Sequence, residues 1–333
     1  VQETLKEMLR VYTKDIKPTD RDSFRFKRVE PPGTLLYDLF KEYYSLQQRH
    51  IAKSFDTEYT LKENVYKNQF MNLIEANYGE FYTSKKSRIV EEGFRKAFKG
   101  NWGSEAHTKR MGIVQGLNRL SFNAAVSHLR KINLPLDASA KVVGPRLLHS
   151  SQWGIIDPVD TPDGGNIGTH KHLSIITHIS NSISNSIIKS FIFEEYNKDI
   201  IKIEECNPEK LYNKTKIYLN GVWLGVTDHP NDIVSDFKIK RRNGKINDIP
   251  QELSKLISIT FNIKSNSIFI NTDEGRLLRP LYFIEKLKDK NQLIVPDLIE
   301  NDYTWEKTCK FVDFVDSTEV EDMYIASDFN KLQ

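Results

Sequence analysis

Between Gly100 and His172 the chain concentrates side chains that can do chemistry. His149, Asp157, Asp160, Asp163, His170 and His172 are all metal-ligand types, and strand alternation would put His170 and His172 on one face. Such a set could hold zinc or manganese in a hydrolase. The spacing speaks against it. No pair has an H-x-x-x-H or H-E-x-x-H interval, and the aspartates lie in the run PVDTPDGGNIG, where Asp more often bonds the backbone of a turn.

A second constellation is cationic. Lys109-Arg110 and Arg130-Lys131 come as pairs, and Arg146 follows Pro145. Gln115, Asn118, Asn123, His128 and Asn133 are interleaved with them. From Lys85 to Arg146 there are 13 Lys/Arg against 4 Asp/Glu, whereas from Asp297 to Asp328 there are 10 Asp/Glu against 2 Lys/Arg. One part of the chain therefore suits an anionic partner and another repels it. Lys and Arg supply charge to phosphates, and the amides can reach sugar or base edges. The same cations would equally serve as a solvated helix face, and His128 alone as a half-buried polar residue. No P-loop pattern is present.

These residues need a scaffold. The 333 residues suffice for two or three domains, and 39% hydrophobic with 28% charged residues is ordinary for a globular protein. Cys206 and Cys309 fit no metal spacing and read as reduced residues of an intracellular protein. No apolar run is long enough to span a membrane, and no signal-peptide pattern is seen. Opening at Val1 in what reads as mid-helix, the chain is expected to be a piece of a longer protein.

Apolar spacing predicts helices over residues 1–16, 35–52 and 86–99, the last stopped by Gly100. Thr60 and Glu63 form a capping box ahead of a helix to Tyr78, and Val114, Leu117, Leu120 and Ala124 predict one from Met111 towards Arg130. Loops should dominate from Lys131 to Gly168. Beyond them HLSIITHIS is a strand candidate, and the Asn/Ser/Ile-biased NSISNSIIKS is compositional drift. Asn220-Gly221 marks a hairpin, a helix or turn should run from His229 to Arg242, and two or three strands follow before a helical and irregular acidic end with VDFV as a candidate short strand. Trp102, Trp153, Trp223 and Trp305 read as packing anchors. The fold class is α+β, multi-domain: helix-rich first, loop-rich in the centre, β-rich afterwards.

The motifs GNWG, RMGIVQ, VSHLRK, GPRLLHSSQWG and DPVDTPDGGNIG stand in that order. They resemble the second-largest (β-like) subunit of multisubunit DNA-directed RNA polymerases. There the pattern is approximately GNWG, Ser-Arg-x-Gly-x-x-Gln, L-S-H-L-R-R, P-R-x-L-H-x-x-x-W-G and C-P-x-E-T-P-E-G-x-x-x-G. The likeness extends upstream through DRDSFRFKRVEPPGTLL and downstream through NGVWLGV, DEGRLLRPLYFIE and YTWEKTCKFVDFVDSTEVEDMYIA, about residues 18 to 328.

The resemblance implies residues 1–99 as lobe end and protrusion part, 100–180 as the fork, 181–270 as external domain 1 and 271–333 as external domain 2. It places Gln115, His128, Arg130, Lys131, Arg146 and Asp163 on the nucleic-acid cleft and Lys109 and Arg110 in a fork loop. Lys131 stands for an arginine and loses its bidentate fork, while Asp157, Asp160 and Asp163 replace one Cys and two Glu. The implied function is to line the cleft and position DNA template and RNA–DNA hybrid, with the largest and smaller polymerase subunits as partners and no membrane. No catalytic residue and no cofactor ligand is expected in this segment, because Mg2+ would be ligated elsewhere in the complete enzyme. The implied location is intracellular, in the nucleus or, for a viral lineage, the virion or the host-cell replication site. A stand-alone nucleic-acid-binding module and a metal hydrolase built on His149, Asp160, Asp163, His170 and His172 are the alternatives.

Overall fold

A computed structural model describes residues 2–67, 69–84, 87–134, 136, 141–206, 211, 214–246, 249–282 and 312–327. They form two compact units, one of residues 30–130 and one of residues 1–29 with those from 131 onward. Helix α1 (Gln2–Tyr12) belongs to the latter.

The unit of residues 30–130 is helical. It comprises α2 (Pro32–Leu61), α3 (Glu63–Tyr66), α4 (Phe70–Tyr78), a π-helical turn at Gly79–Thr83, α5 (Ile89–Phe98) and α6 (Phe122–Leu129). Leu39 and Tyr43 of α2, Ala97 of α5 and Trp102 are its buried centre, with Leu35, Leu46, Ile89, Val90 and Phe94 packed around them. Gly93 lets the two helices meet: a Cβ there would lie 2.5 Å from the Tyr43 ring. Gly100, at φ +103°, follows the end of α5 as expected.

Two helix expectations are corrected here. Thr60 caps nothing; it lies inside α2 and donates to the Asp56 carbonyl at 2.7 Å, because α2 runs on to Leu61. The helix from Met111 shrinks to α6. Gly112 adopts φ +79°, and Met111 and Leu120 are exposed, so the earlier residues have no continuous face to bury. Ser121 starts α6 by accepting the Ala124 amide at 3.1 Å.

The other unit holds the strands. β1 (Lys131–Asn133) pairs with β2 (His170–His172). After β3 (His178–Ile179) come α7 (Asn185–Glu195), β4 (Ile200–Lys202), β5 (Thr215–Leu219), β6 (Val222–Thr227), α8 (Pro230–Asn243), α9 (Gln251–Ser254), β7 (Ser258–Asn262), β8 (Ser267–Asn271) and β9 (Leu277–Tyr282). β10 (Val312–Asp316) and α10 (Ser317–Val320) close the described chain. HLSIITHIS is thus two short strands parted by a turn. The Asn/Ser/Ile tract is no mere drift: it starts α7, whose Ile188, Phe191 and Ile192 are fully buried. Cys309 and Trp305 lie outside the described residues.

One sheet has the order β4-β6-β5-β8-β7, all antiparallel except β5 with β8. Asn220 (φ +47°) and Gly221 (φ +80°) make the predicted tight hairpin, since two successive left-handed residues match strand twist. Ile217, Leu219, Leu224, Ile259, Ile268 and Ile270 form a core with α7 and with Ile233 and Phe237 of α8. A second sheet, β10-β9-β3, is antiparallel.

Ionic contacts join β10 and α10 to the five-stranded part. Arg241, at the end of α8, donates to Glu319 at 2.5 Å and to the Ile257 carbonyl at 2.7 Å. Arg242 forks onto Asp313 at 2.6 to 2.9 Å, and Arg276 reaches Asp316 at 3.3 Å. Glu319 also accepts the Ile259 amide of edge strand β7 at 2.9 Å. Burial opposes the Arg241 charge, but Glu319 and Asp313 outweigh it and hold the proton more tightly than usual. For Asp313 burial is again overcome, by Arg242 and Arg241, and its carboxyl is held below the ordinary range.

Two stability outcomes follow. Gly93→Ala gains about 1 kcal/mol of helix propensity but forces the Tyr43 ring aside, which costs about 1–3 kcal/mol, so net loss is expected. Urea unfolding checks it, with Gly79→Ala, whose Cβ would meet only Thr83 Oγ1 at 3.7 Å, as the tolerated control. Glu319→Gln leaves the Arg241 charge short of its partner and should cost about 3–5 kcal/mol, while Arg241→Met combined with Glu319→Leu should cost clearly less.

Candidate nucleic-acid interface

The loop after α5 carries the first cation pair. Gly103, at φ +89°, brings the chain so close that a Cβ would sit 2.3 Å from the Thr108 carbonyl oxygen. Trp102 is buried beneath, and its carbonyl accepts the Arg110 amide at 3.1 Å. Glu42 of α2 buttresses the loop by accepting from the Ser104 amide at 3.0 Å, from Thr108 Oγ1 at 2.7 Å and from the Ser104 hydroxyl. Burial pushes the Glu42 carboxyl up, but these hydrogen bonds outweigh it and hold it below the ordinary value. On this base Lys109 and Arg110 stand exposed. Arg110 is paired with Glu30, whereas Lys109 has no carboxylate partner among the described residues.

The irregular run from Gly112 to Asn118 is fastened by α6. His128 Nδ1 accepts the Asn118 amide at 3.1 Å, which leaves the ring proton on Nε2, 2.9 Å from Gln115 Oε1. Gln115 Nε2 in turn donates to the Gly112 carbonyl at 2.6 Å. Gln115 and His128 therefore meet, and they hold backbone that the missing helix would have satisfied. Arg130 caps α6 through its amide.

Lys131, Arg146 and Asp163 belong to the other unit. The Arg146 guanidinium donates to the Gly165 and Ile167 carbonyls at 2.7 and 2.9 Å and so pins the PVDTPDGGNIG loop. Gly168, at φ +71°, packs against Arg146 backbone where a Cβ would lie 2.3 Å from its carbonyl oxygen. Asp163 is exposed at the tip and its side chain caps nothing. Lys131, on β1, lies opposite His172 and has no carboxylate partner among the described residues.

The residues offered as metal ligands are occupied separately. Asp157 accepts the Val159 and Asp160 amides at 2.9 and 3.3 Å, as turn chemistry predicts. His149 lies 2.7 Å from Asp20 and accepts the Ser151 amide at 3.1 Å. The Asp22 amide, then His149, hold the Asp20 carboxyl below its usual value. His170 bonds Asn133 Oδ1 at 2.6 Å, and His172 bonds the Asp160 carbonyl at 2.9 Å. Among the described residues no three His, Cys, Asp or Glu side chains converge.

Trp153 is no packing anchor: it is 77% exposed, whereas Trp102 is buried and Trp223 half-buried. Two positioning residues carried no motif. Glu42 lies some sixty residues upstream of the loop it holds and has no local signal. Lys171 is buried and donates to the Leu147 carbonyl at 3.3 Å; burial, then the charge of Lys27, lowers its proton affinity. Strand alternation could have set it opposite the histidine face.

Residues 115–179 match the family described as RNA polymerase Rpb2, domain 3, and residues 217–285 match RNA polymerase Rpb2, domain 4. The chain is 31% identical over 318 residues to DNA-directed RNA polymerase II subunit RPB2 of Encephalitozoon cuniculi, covering 93% of this chain and 26% of that protein. It is 30% identical over 317 residues to DNA-directed RNA polymerase subunit 2 of Acanthamoeba polyphaga mimivirus, covering 92% and 24%. Against DNA-directed RNA polymerase III subunit RPC2 of Schizosaccharomyces pombe it is 30% identical over 334 residues, covering 96% and 26%. The chain thus spans about a quarter of the length of these relatives.

The hydrogen bonds that Glu42 accepts make the loop sensitive to pH. A carboxyl depressed by folding contributes stability that is present above its unfolded value, about 4.3, and is lost as pH falls through the folded value. Glu42→Gln should cost about 1–3 kcal/mol at pH 7 and flatten the fall in stability below about pH 4.5, read by urea midpoints across pH.

Proposed function

Because this chain belongs to the family of second-largest DNA-directed RNA polymerase subunits, we propose that its loop-rich centre forms part of the wall of a nucleic-acid cleft. The observation that carries the reading is the match of residues 115–179 to the Rpb2 domain 3 family, which takes in Gln115, His128, Arg130, Lys131, Arg146 and Asp163. Lys131 and Lys109 supply outward charge, sequence-independent and suited to phosphates. Gln115 and His128 in one unit, and Arg146 in the other, act as positioning residues, because their polar atoms already hold backbone. Asp163 stands at a loop tip where its negative charge would keep strands at a distance.

In this reading residues 1–99 are lobe end and protrusion part, 100–180 the fork, 181–270 and 271–333 the two external domains. The partners are the largest and smaller polymerase subunits, the DNA template and the RNA–DNA hybrid. The Mg2+ that supports nucleotidyl transfer is held by other parts of the enzyme, so the chain contributes position and field. Its place of work is a nuclear transcription apparatus or a viral replication site.

The test is a double substitution, Arg130→Ala with Lys131→Ala, in the assembled polymerase. Removing one cation from a phosphate should lower the salt slope of binding by about 0.7–0.9. Elongation complexes of the double variant should therefore dissociate faster and with a slope shallower by about 1–2. Unchanged stability and slope, measured by dissociation of labelled hybrid across salt, would remove these residues from the cleft wall.

A further inference from the structure

Among the described residues His170 and His172 join no cluster that could hold a metal, and both are half-buried outside the hydrophobic core clusters. β1 and β2 pair so that Lys131 lies opposite His172 and Asn133 opposite His170. Directly opposed residues project from one face of an antiparallel ribbon, and residues two apart share that face. Lys131, Asn133, His170 and His172 therefore stand together, while Lys171 between the histidines is buried on the reverse.

Both imidazoles use Nδ1 to fix themselves, His170 on Asn133 Oδ1 and His172 on the Asp160 carbonyl. A ring whose Nδ1–H donates to oxygen has a lone pair at Nε2 when neutral and a second N–H there when protonated. Neither Nε2 has a hydrogen-bond partner among the described residues, and the only carboxylate within ion-pair reach of Lys131, His170 and His172, among those residues, is Asp160 at 3.3 Å from His172 Nδ1. A lysine across the ribbon repels a divalent cation and favours an anion. Burial, then the charges of Lys131 and His172, lower the proton affinity of His170.

We propose that Lys131, His170 and His172 form one phosphate-binding face that takes a backbone phosphodiester of the nucleic acid, His170 gaining a proton from solvent as the phosphate arrives. This rests on the cleft-wall reading above, and it adds a pH dependence which that reading does not require. An anion beside His170 reverses the sign of the field at the ring. The affinity it contributes is full at low pH and fades as pH rises through the value in the complex.

The experiment uses the assembled polymerase containing this subunit and a fluorescent RNA–DNA hybrid scaffold, with dissociation constants measured from pH 6 to 8 over a range of salt. Relative to His170→Gln, wild type should tighten about tenfold as pH falls, the order of one charge-assisted hydrogen bond gained to the phosphate. Its salt slope should steepen by about 0.7–0.9 at the acid end. His172→Gln should show a smaller loss of the same sign, because Asp160 stands 3.3 Å from that ring and disfavours an anion there. Gln keeps an amide able to bond Asn133, and thermal unfolding of each variant identifies any that fails to fold, for which His170→Asn replaces it.

If wild type and His170→Gln track each other across pH while Lys131→Ala still lowers the slope, the histidines are not part of the site and the proposal falls alone. If Lys131→Ala changes nothing, the cleft-wall reading falls with it. A second arm titrates nucleoside triphosphate without hybrid: binding that depends on His170 there, and not with hybrid, assigns the face to nucleotide and overturns the proposal.

Discussion

Backbone outside regular structure still has amides and carbonyls to satisfy, and this one requirement shapes the centre of the chain. Glu42, His128, Ser151, Arg146, Asp157 and Lys171 all spend polar atoms on main-chain groups, most of them in the loops between Gly100 and His172. Side chains with reactive chemistry are thereby consumed in holding shape. Lys109, exposed in its loop, and Lys131, half-buried on β1, have no carboxylate partner among the described residues.

The same requirement separates arginine from lysine. Arg146 spans two carbonyls with one nitrogen, and Arg241 serves a carboxylate and a carbonyl together, tasks that suit a planar multi-donor fork. Lys109 and Lys131, which have no carboxylate partner among the described residues, are compact charges on flexible stems. Around Arg241 the fork does structural work of another kind, drawing β10 and α10 against the edge of the five-stranded sheet, where Glu319 meets an edge-strand amide.

Elements with a strong local period are legible in the sequence. The Asn220-Gly221 hairpin, the helix stopped by Gly100, the helix begun at Pro230 and the strands after residue 257 all carry their signal within a few residues. Legibility fails where tertiary contacts decide. The apolar positions from Met111 to Leu120 have helical spacing, yet left-handed glycine and the His128 bonds favour an irregular path. The Asn/Ser/Ile tract looks like drift because its burial depends on a sheet still to come. For the site, cation pairs and turn aspartates can be read directly. Glu42 cannot, since a buttress from a distant helix leaves no trace beside the loop it holds.

The parallel pairing of β5 with β8 carries a consequence for how the protein is made. Synthesis adds roughly 5–20 residues per second. The interval from Thr227 to Ser267 therefore keeps β5 waiting for about 2–8 s after the β5–β6 hairpin has emerged. During that time one side of β5 is an open edge bearing unpaired amides and alternating Ile217 and Leu219. The helix and hairpin synthesised in between, α8 and β7–β8, must reach it before another nascent chain does. Ribosome pace across residues 219 to 271 is thus a determinant of yield, and slow decoding there lengthens the exposure.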